Sequence, residues 1–302
     1  MGDLCVIPVR DRDDPRLRDY RDVREADLRR ERGVFVVEGR HNVRRLVAAR
    51  RHRVCSLLLT PAALRALESD LGALPPDTPV YLADRELLYG IVGYAMHRGC
   101  LAVGERPPET DLDALLDSVG PGPATLLGLV DLANPDNVGG AFRSARALGA
   151  AGVLLSPATV DPLYRKPIRV SMGGSLEVPF ARTEPWPDAL RIVRERGFSL
   201  VALTTAPSAE SIDLVAAPGR NPARALLLVG SEAEGLPEAV VRLADLRVRI
   251  PMVPGVDSLN AATAAAIALH RLSRGLPPEE GGFARPPGAG GPAGPPGGGA
   301  GG

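Results

Sequence analysis

Short apolar runs, separated by segments of helical period, fall into two successive series along the chain. In the first series Val34–Val37, Val54–Leu59, Pro79–Leu82 and Cys100–Val103 read as strands. Between them, Val43, Leu46 and Val47 recur at the spacing of one helix face, Pro61 suits a first helical turn, and Asp84–Ile91 completes a third helix. The second series comprises Thr125–Asp131, Gly152–Ser156, Ser199–Leu203, Ala225–Val229 and Leu246–Ile250. Most of these runs are continuously apolar rather than alternating, and helical segments separate most of them. Strands buried on both faces have that pattern, so the spacing predicts an α/β fold whose later part is a parallel sheet covered by helices.

Punctuation between the series divides the chain. Residues 1–32 are charged and weakly patterned and read as an N-terminal arm, and 33–105 form a small α/β domain. Residues 106–122, rich in Pro, Asp and Gly, read as a linker, and 123–274 form the larger α/β domain. Residues 275–302 are dominated by Pro and Gly without a strict three-residue period, the composition of a disordered tail rather than a collagen-like one.

Composition adds exclusions. No apolar stretch reaches about 20 residues, which argues against a membrane span. The first residues lack the apolar core of a signal peptide, so a cytoplasmic location is expected. Cys5, Cys55 and Cys100 are far apart and form no CxxC or Cys/His cluster, so free thiols and no metal are expected. Lys plus Arg and Asp plus Glu both number 36, yet arginines outnumber acids between Arg10 and Arg53. That stretch reads equally as a phosphate-facing patch or as a solvated face paired with Asp22, Glu25, Asp27 and Glu31.

Three segments carry candidate chemistry. Asn134-Pro-Asp-Asn-Val-Gly-Gly-Ala-Phe-Arg143 follows a predicted strand and opens a helix whose inner face is Val138, Ala141, Phe142, Ala145 and Leu148. Asn137 is a candidate cap and Gly149 a candidate stop, which leaves Arg143 off the apolar face, above the strand ends where open α/β sheets place ligands. Gly230-Ser-Glu232-Ala-Glu-Gly235-Leu236 follows another buried strand, and its glycines allow a ligand to approach the backbone. Alone it is a weak signal, and it is not the GxGxxG dinucleotide fingerprint. Ile250-Pro-Met-Val-Pro-Gly-Val-Asp-Ser258-Leu259-Asn260 leads into a helix apolar nearly all round, which predicts burial, with Ser258 as its cap and Asn260 an amide in need of partners.

In this order and spacing the three segments resemble the signature motifs of the SpoU (TrmH-like) family of RNA 2′-O-ribose methyltransferases: N-P-x-N-x-G-x-x-x-R, G-x-E-x-x-G-L and I-P-M…S-L-N. Asp161–Ser175 and Val178-Pro-Phe180 also look like that family, so the resemblance covers about 124–272. Phe35-Val-Val-Glu38-Gly39 and His97-Arg-Gly-Cys-Leu-Ala102 resemble, less specifically, the substrate-binding domain that many members carry. Two departures concern packing: Ala261 and Ala262 follow the S-L-N triplet where Val-Ser is common, and Gly140 stands where Ala is commoner.

The resemblance implies a parallel sheet closed by a deep trefoil knot, preceded by a small RNA-binding domain, and a homodimer with the active site at its interface. It implies S-adenosylmethionine held at Gly230, Ile250 and Leu259, with Thr204 nearby, and catalytic positions at Asn134, Arg143, Glu232, Ser258 and Asn260. The implied reaction is methyl transfer to a ribose 2′-hydroxyl of RNA. Ser258 and Asn260 would hold the ribose, and Glu232 would position Arg143 or form part of the cofactor pocket. A guanidinium stays protonated, so Arg143 fits a clamp on a neighbouring phosphate better than a general base. Ribosomal RNA is favoured over transfer RNA by the extra N-terminal domain. A transfer-RNA enzyme and a catalytically silent RNA-binding paralogue are the alternatives, the latter disfavoured because Arg143, Glu232 and Asn260 are all present.

Overall fold

The computed structural model describes residues 4–21, 25–93 and 99–273. In chain order the first elements are β1 (Cys5–Pro8), α1 (Glu25–Asp27), β2 (Val34–Glu38), α2 (Arg40–Ala49), β3 (Val54–Leu59), α3 (Pro61–Leu71), β4 (Pro79–Leu82), α4 (Arg85–Val92) and β5 (Cys100–Glu105). Then follow α5 (Leu112–Ser118), β6 (Ala124–Leu129), α6 (Pro135–Ala147), β7 (Gly152–Leu155), α7 (Arg165–Val170), β8 (Phe180–Arg182) and α8 (Ala189–Glu195). The last are β9 (Ser199–Leu203), β10 (Glu210–Ser211), α9 (Ile212–Val215), β11 (Arg224–Val229), α10 (Glu238–Leu243), β12 (Leu246–Arg249) and α11 (Ala261–Leu272). The 275–302 tail, and His97 and Arg98 of the less specific motif, lie outside the described residues.

Two sheets result. The first has five strands in the order β1-β4-β3-β5-β2, with β1, β4 and β3 parallel and β5 antiparallel to both of its neighbours. The second has seven in the order β10-β12-β9-β11-β6-β7-β8, and every pairing is parallel. One of its faces packs Leu127, Leu129 and Leu227 against Val138 and Phe142 of α6 and Ala265 and Leu269 of α11. The other packs Leu126, Leu154 and Leu226 against Leu115, Leu190 and Val240 of α5, α8 and α10. Burial on both faces is the reason β6, β7, β9 and β11 read as nearly unbroken apolar runs.

Helix starts follow side-chain chemistry. Thr60, Asp84 and Asp111 each accept a hydrogen bond from a first-turn amide of α3, α4 and α5. Two caps differ from expectation. Asn134, not Asn137, caps α6, its Oδ1 accepting from the Asp136 amide at 2.9 Å. Asn260, not Ser258, caps α11, its Oδ1 accepting from the Ala262 and Thr263 amides at 3.1 and 3.2 Å. Pro135 occupies the first position of α6, so the cap falls on Asn134, three residues upstream of Asn137. The face of α11 that bears Thr263 and Ile267 is exposed in the single chain, whereas the pattern predicts burial all round.

The segments read as arm and linker also contribute to the fold. Cys5–Pro8 pairs with β4, and Leu17, Tyr20 and Leu28 are buried, with the Tyr20 hydroxyl 2.7 Å from Ser56 Oγ. Within 106–122, α5 buries Leu115 and Leu116 against the second sheet. The hydrophobic core of the first sheet is itself completed from the second half of the chain, by Leu163, Ile168 and Leu176. At the same seam the Asp161 carboxylate, almost fully buried, lies 2.5 Å from Arg106 and 3.2 Å from Arg29. Most of the N-terminal arginines are likewise paired: Arg30 with Asp27 and Glu31, Arg32 with Asp19, Arg44 with Asp70, and Arg53 with Glu105. The paired-face reading therefore describes them better than a continuous free patch, although the partners are mostly distant in sequence.

All three cysteines are free thiols. Among the described residues no helix is long and apolar enough to cross a membrane.

Candidate active site

All strands of the second sheet being parallel, the segments leaving β6, β9, β11 and β12 gather at one edge. A cleft of about 310 Å³ opens there, lined by Leu203, Thr204, Val229, Gly230, Glu232, Leu236, Ile250, Met252, Ser258 and Leu259. The positions expected to hold a cofactor, Thr204, Gly230, Ile250 and Leu259, all line this one cleft, together with Glu232 and Ser258.

The loop after β11 explains why Gly230 is glycine. A Cβ there would lie 2.1 Å from the Gly235 carbonyl oxygen, so the two backbones meet with no room for a side chain. The Gly235 amide donates to the Ser231 carbonyl at 2.9 Å and closes the loop, and Gly235 itself takes a φ of 68°, a conformation that favours glycine. Thr204 is placed by its backbone, whose amide donates to Val248 at 2.9 Å and links β9 to β12 just below the cleft.

A polar knot of three side chains joins the three motifs. Asn260 Nδ2 donates to Asn137 Oδ1 at 2.7 Å and to Glu232 Oε1 at 3.4 Å. Asn137 Nδ2 in turn donates to the same Glu232 oxygen. Asn137 is 3% exposed, and its amide oxygen and nitrogen are both engaged. A buried amide of this kind would cost about 1–3 kcal/mol if left without partners, so each residue fixes the others. Because the Asn260 Oδ1 also caps α11, the start of that helix and the Glu232 loop are tied to the first turn of α6 through one residue.

Asn137 was not among the residues singled out for chemistry. Its sequence signal was its place four residues before Ala141, on the buried face of α6 alongside Val138 and Ala145, where a polar side chain demands a partner. Asn134, by contrast, is exposed and spends its side-chain oxygen on the helix cap. Glu232 pairs with the two asparagines and not with Arg143. Arg143 is exposed and makes no hydrogen bond or ion pair among the described residues. Ser258 is exposed at the cleft, one residue before Leu259.

The two packing departures prove to be neighbours. A Cβ on Gly140 would lie 2.8 Å from the Cβ of Ala262, so the small residue on α6 admits the close approach of α11. The adjacent Gly139 does the same for α7, where a Cβ would lie 2.6 Å from Val170 Cβ. Successive glycines thus let one helix pack tightly on two sides while its first turn carries Asn137.

A smaller cavity of about 110 Å³ lies at the seam between the sheets, lined in part by Arg51, His52, Arg106, Phe180 and Arg182. None of the residues expected to carry chemistry or cofactor lines it. His52 is buried there with its ring edge-on to Phe35, centroids 5.1 Å apart. Burial, reinforced by Arg51 and Arg106, lowers its pKa from 6.5 to about 4, a hydrogen bond to the Leu176 backbone opposing.

Comparison with known proteins gives concordant matches. Residues 124–270 match the model of the SpoU rRNA Methylase family. An uncharacterized tRNA/rRNA methyltransferase of Mycobacterium tuberculosis is 37% identical over 281 residues, covering 90% of this chain and 93% of that protein. A 23S rRNA (guanosine-2′-O-)-methyltransferase of Ralstonia nicotianae is 33% identical over 193 residues, covering 64% of this chain and 75% of its own. Among solved structures, the AdoMet-bound rRNA methyltransferase of Sinorhizobium meliloti superposes with a TM-score of 0.74 at 26% identity, covering 90% of this chain and 99% of that one.

Proposed function

The chain belongs to the SpoU rRNA methylase family, and from that premise we propose that it transfers a methyl group from S-adenosylmethionine to a ribose 2′-hydroxyl of RNA, with ribosomal RNA the favoured substrate. RNA methylation with S-adenosylmethionine as cofactor follows from the family and from its AdoMet-bound structural neighbour. The single observation that carries the finer reading is the convergence of the three motifs: Asn137, Glu232 and Asn260 are hydrogen-bonded to one another at the mouth of the cleft. The 2′-hydroxyl assignment and the preference for ribosomal RNA are supported by the Ralstonia relative, whose described activity is of that kind.

The cleft suits the cofactor. Its volume of about 310 Å³ falls at the lower end of small-molecule sites, and its walls combine apolar Leu203, Val229, Leu236 and Ile250 with exposed backbone at Gly230. Thr204, Gly230, Ile250 and Leu259 would hold it. When bound, S-adenosylmethionine supplies an electrophilic methyl on a positively charged sulfonium. The remaining tasks are orientation and removal of one proton, and these belong to the protein. Ser258 and Asn260 stand at the cleft mouth, where the Ser258 hydroxyl would donate to the ribose oxygen as charge develops and Asn260 would do so by giving up its long 3.4 Å bond to Glu232. Glu232 and Asn137 act as positioning residues that fix the Asn260 amide. Arg143, unpaired and permanently charged, grips the phosphate beside the target ribose in the two-pronged geometry that suits guanidinium. The hydroxyl proton passes to that phosphate or to water, since the motifs contain no histidine.

Three features of assembly belong to the same proposal. Val253 and Val256 are 71% and 46% exposed in the loop that borders the cleft, and Ile267 is 36% exposed on α11, apolar surface that supports a homodimer sharing the active site. The chain runs out to β12, beyond β9, and returns across β9 and β11 to seat α11 on α6, a path that supports the trefoil knot. Residues 33–105, extended by β1, act as the RNA-binding domain and 123–274 as the methyltransferase domain, at work in the cytoplasm.

Incubation with labelled S-adenosylmethionine and unmodified total RNA tests the reading, with Asn260→Ala and Arg143→Ala as controls. Label in an alkali-resistant dinucleotide of ribosomal RNA, lost in both variants, is the expected result. Label confined to transfer RNA would reassign the substrate, and label on a base would overturn the 2′-hydroxyl.

A further inference from the structure

Arg143 is not isolated on the surface. One turn further along α6, Arg146 projects beside it, and Arg45 reaches the same place from α2 of the first sheet. The carboxylate shared by the group is Glu177, whose one oxygen pairs with Arg146 and whose other lies 3.6 Å from Arg45 Nε. Arg143 receives no carboxylate among the described residues, so three guanidiniums face one negative charge. The strain is visible in the electrostatics: burial, then Arg146 and Arg143, depress the Arg45 guanidinium below its usual value, with Glu177 opposing. All remain within reach of solvent, the side chains of Arg45 and Arg146 being 22% and 41% exposed.

The scaffold holding these groups is specific. Met172 and Gly173 both take left-handed backbone conformations, φ 54° and 79°, in the turn that separates α2 from α6. A Cβ on Gly173 would lie 2.9 Å from Arg45 Cδ, so the stem of Arg45 lies directly on the bare glycine backbone. A non-glycine residue held at positive φ is strained and persists where the surroundings over-determine it. The Arg51 guanidinium donates to the Glu177 carbonyl at 2.6 Å and anchors that residue from the first sheet as well.

We propose that Arg45, Arg143 and Arg146 form a composite binding site for the RNA phosphodiester backbone, spanning both sheets, in which the Glu177 carboxylate stands in for a phosphate until RNA displaces it. Guanidinium forks match phosphate oxygens as they match carboxylate oxygens, so the exchange conserves the contacts of Arg45 and Arg146 and gives Arg143 a partner. The consequence is geometric. A phosphate held by residues of both sheets fixes the strand's path from the first sheet to the cleft, which sets where along the RNA the ribose enters. The inference rests on the reading of the chain as an RNA methyltransferase and adds to it the place and the residues of backbone recognition.

The test measures binding of unmodified ribosomal RNA transcripts over a series of salt concentrations, beside methyl transfer to the same transcripts. Arg45→Met keeps the aliphatic stem on Gly173 and removes the charge, and Arg45→Lys restores the charge. Arg45→Met is expected to weaken RNA binding about 5–10-fold and to reduce the slope of log K against log salt by about one, with Arg45→Lys recovering most of the slope. Glu177→Gln removes the stand-in and is expected to bind RNA about 3–10-fold tighter at low salt. Affinity for S-adenosylmethionine is expected to be unchanged in all three, which also reports that they fold. An unchanged slope in Arg45→Met, or a Glu177→Gln variant that binds RNA no tighter, overturns the inference while leaving methyl transfer by the wild type intact. RNA binding with an Arg45-dependent slope but without methyl transfer supports the inference and removes the enzymatic reading. A wild type that neither binds nor labels RNA removes both.

Discussion

The two sheets of this protein are built from similar runs of apolar residues and do different work. The seven-stranded sheet is parallel throughout, so the ends of four of its strands deliver loops to a common edge, and the motif residues meet there. The five-stranded sheet is mixed: β5 runs antiparallel to its neighbours, and strand ends are split between two edges. Among the described residues it brings no comparable constellation together and instead presents arginines, most of them held in ion pairs. The lesson is that parallel topology concentrates loop chemistry, whereas a mixed sheet distributes it. Yet the halves are not independent, since Leu163, Ile168 and Leu176 complete the first core and Asp161 joins Arg29 and Arg106 across the seam.

The strongest way to break that arrangement is at the seam. Asp161→Ala leaves Arg106, which is 11% exposed, without its carboxylate and should cost about 3–5 kcal/mol of stability. Chemical denaturation should show it, and a single shifted transition would mean that the two sheets unfold as one body. Two separated transitions would mean that the first sheet stands alone.

Next in size is the motif junction. Asn137→Ala should lower methyl transfer about 100–1000-fold by releasing Asn260 and Glu232, on the scale of losing one oriented donor in an active site. Its effect on stability should stay within about 1–3 kcal/mol. Equal activity in variant and wild type would show that the junction is only structural.

His52 offers a pH-dependent probe of the seam. Its pKa is about 4 in the fold against 6.5 free, so the unfolded chain takes up the proton first as pH falls. Stability is therefore complete above about pH 6.5 and is lost as pH drops toward 4, by about 3 kcal/mol in all. The difference in melting temperature between wild type and His52→Gln, followed from pH 7 to 4, should shrink or reverse over that window. A constant difference would remove the assignment.

The smallest effect sharpens the packing of the second sheet. Gly140→Ala should destabilise by about 1–3 kcal/mol through its contact with Ala262, less the helix propensity it gains. Combined with Ala262→Gly it should be largely relieved, a coupling that a double-mutant cycle reads directly.

The sequence by itself determined the α/β class, the interior strands of both sheets and the residues around the cleft. Val54–Leu59 and Ser199–Leu203 coincide with β3 and β9 because strands buried on both faces are apolar at most positions. The strands it did not reveal, β1, β8 and β10, all lie at sheet edges, where hydrogen bonding on one side and partial exposure relax that demand. Gly230, Ile250 and Leu259 were legible through the family motifs and Thr204 through the wider resemblance, and the structure brings them to one cleft. Only the tertiary structure decided which asparagine caps and which one bridges. Asn137 reads as the cap in sequence, but the partner of a buried amide is chosen by segments 95 and 123 residues away. It also decided that Arg45, unremarkable among its arginine neighbours, stands beside Arg143. Charge density along a chain does not specify where charges converge; the packing of α2 against the turn before Glu177 does.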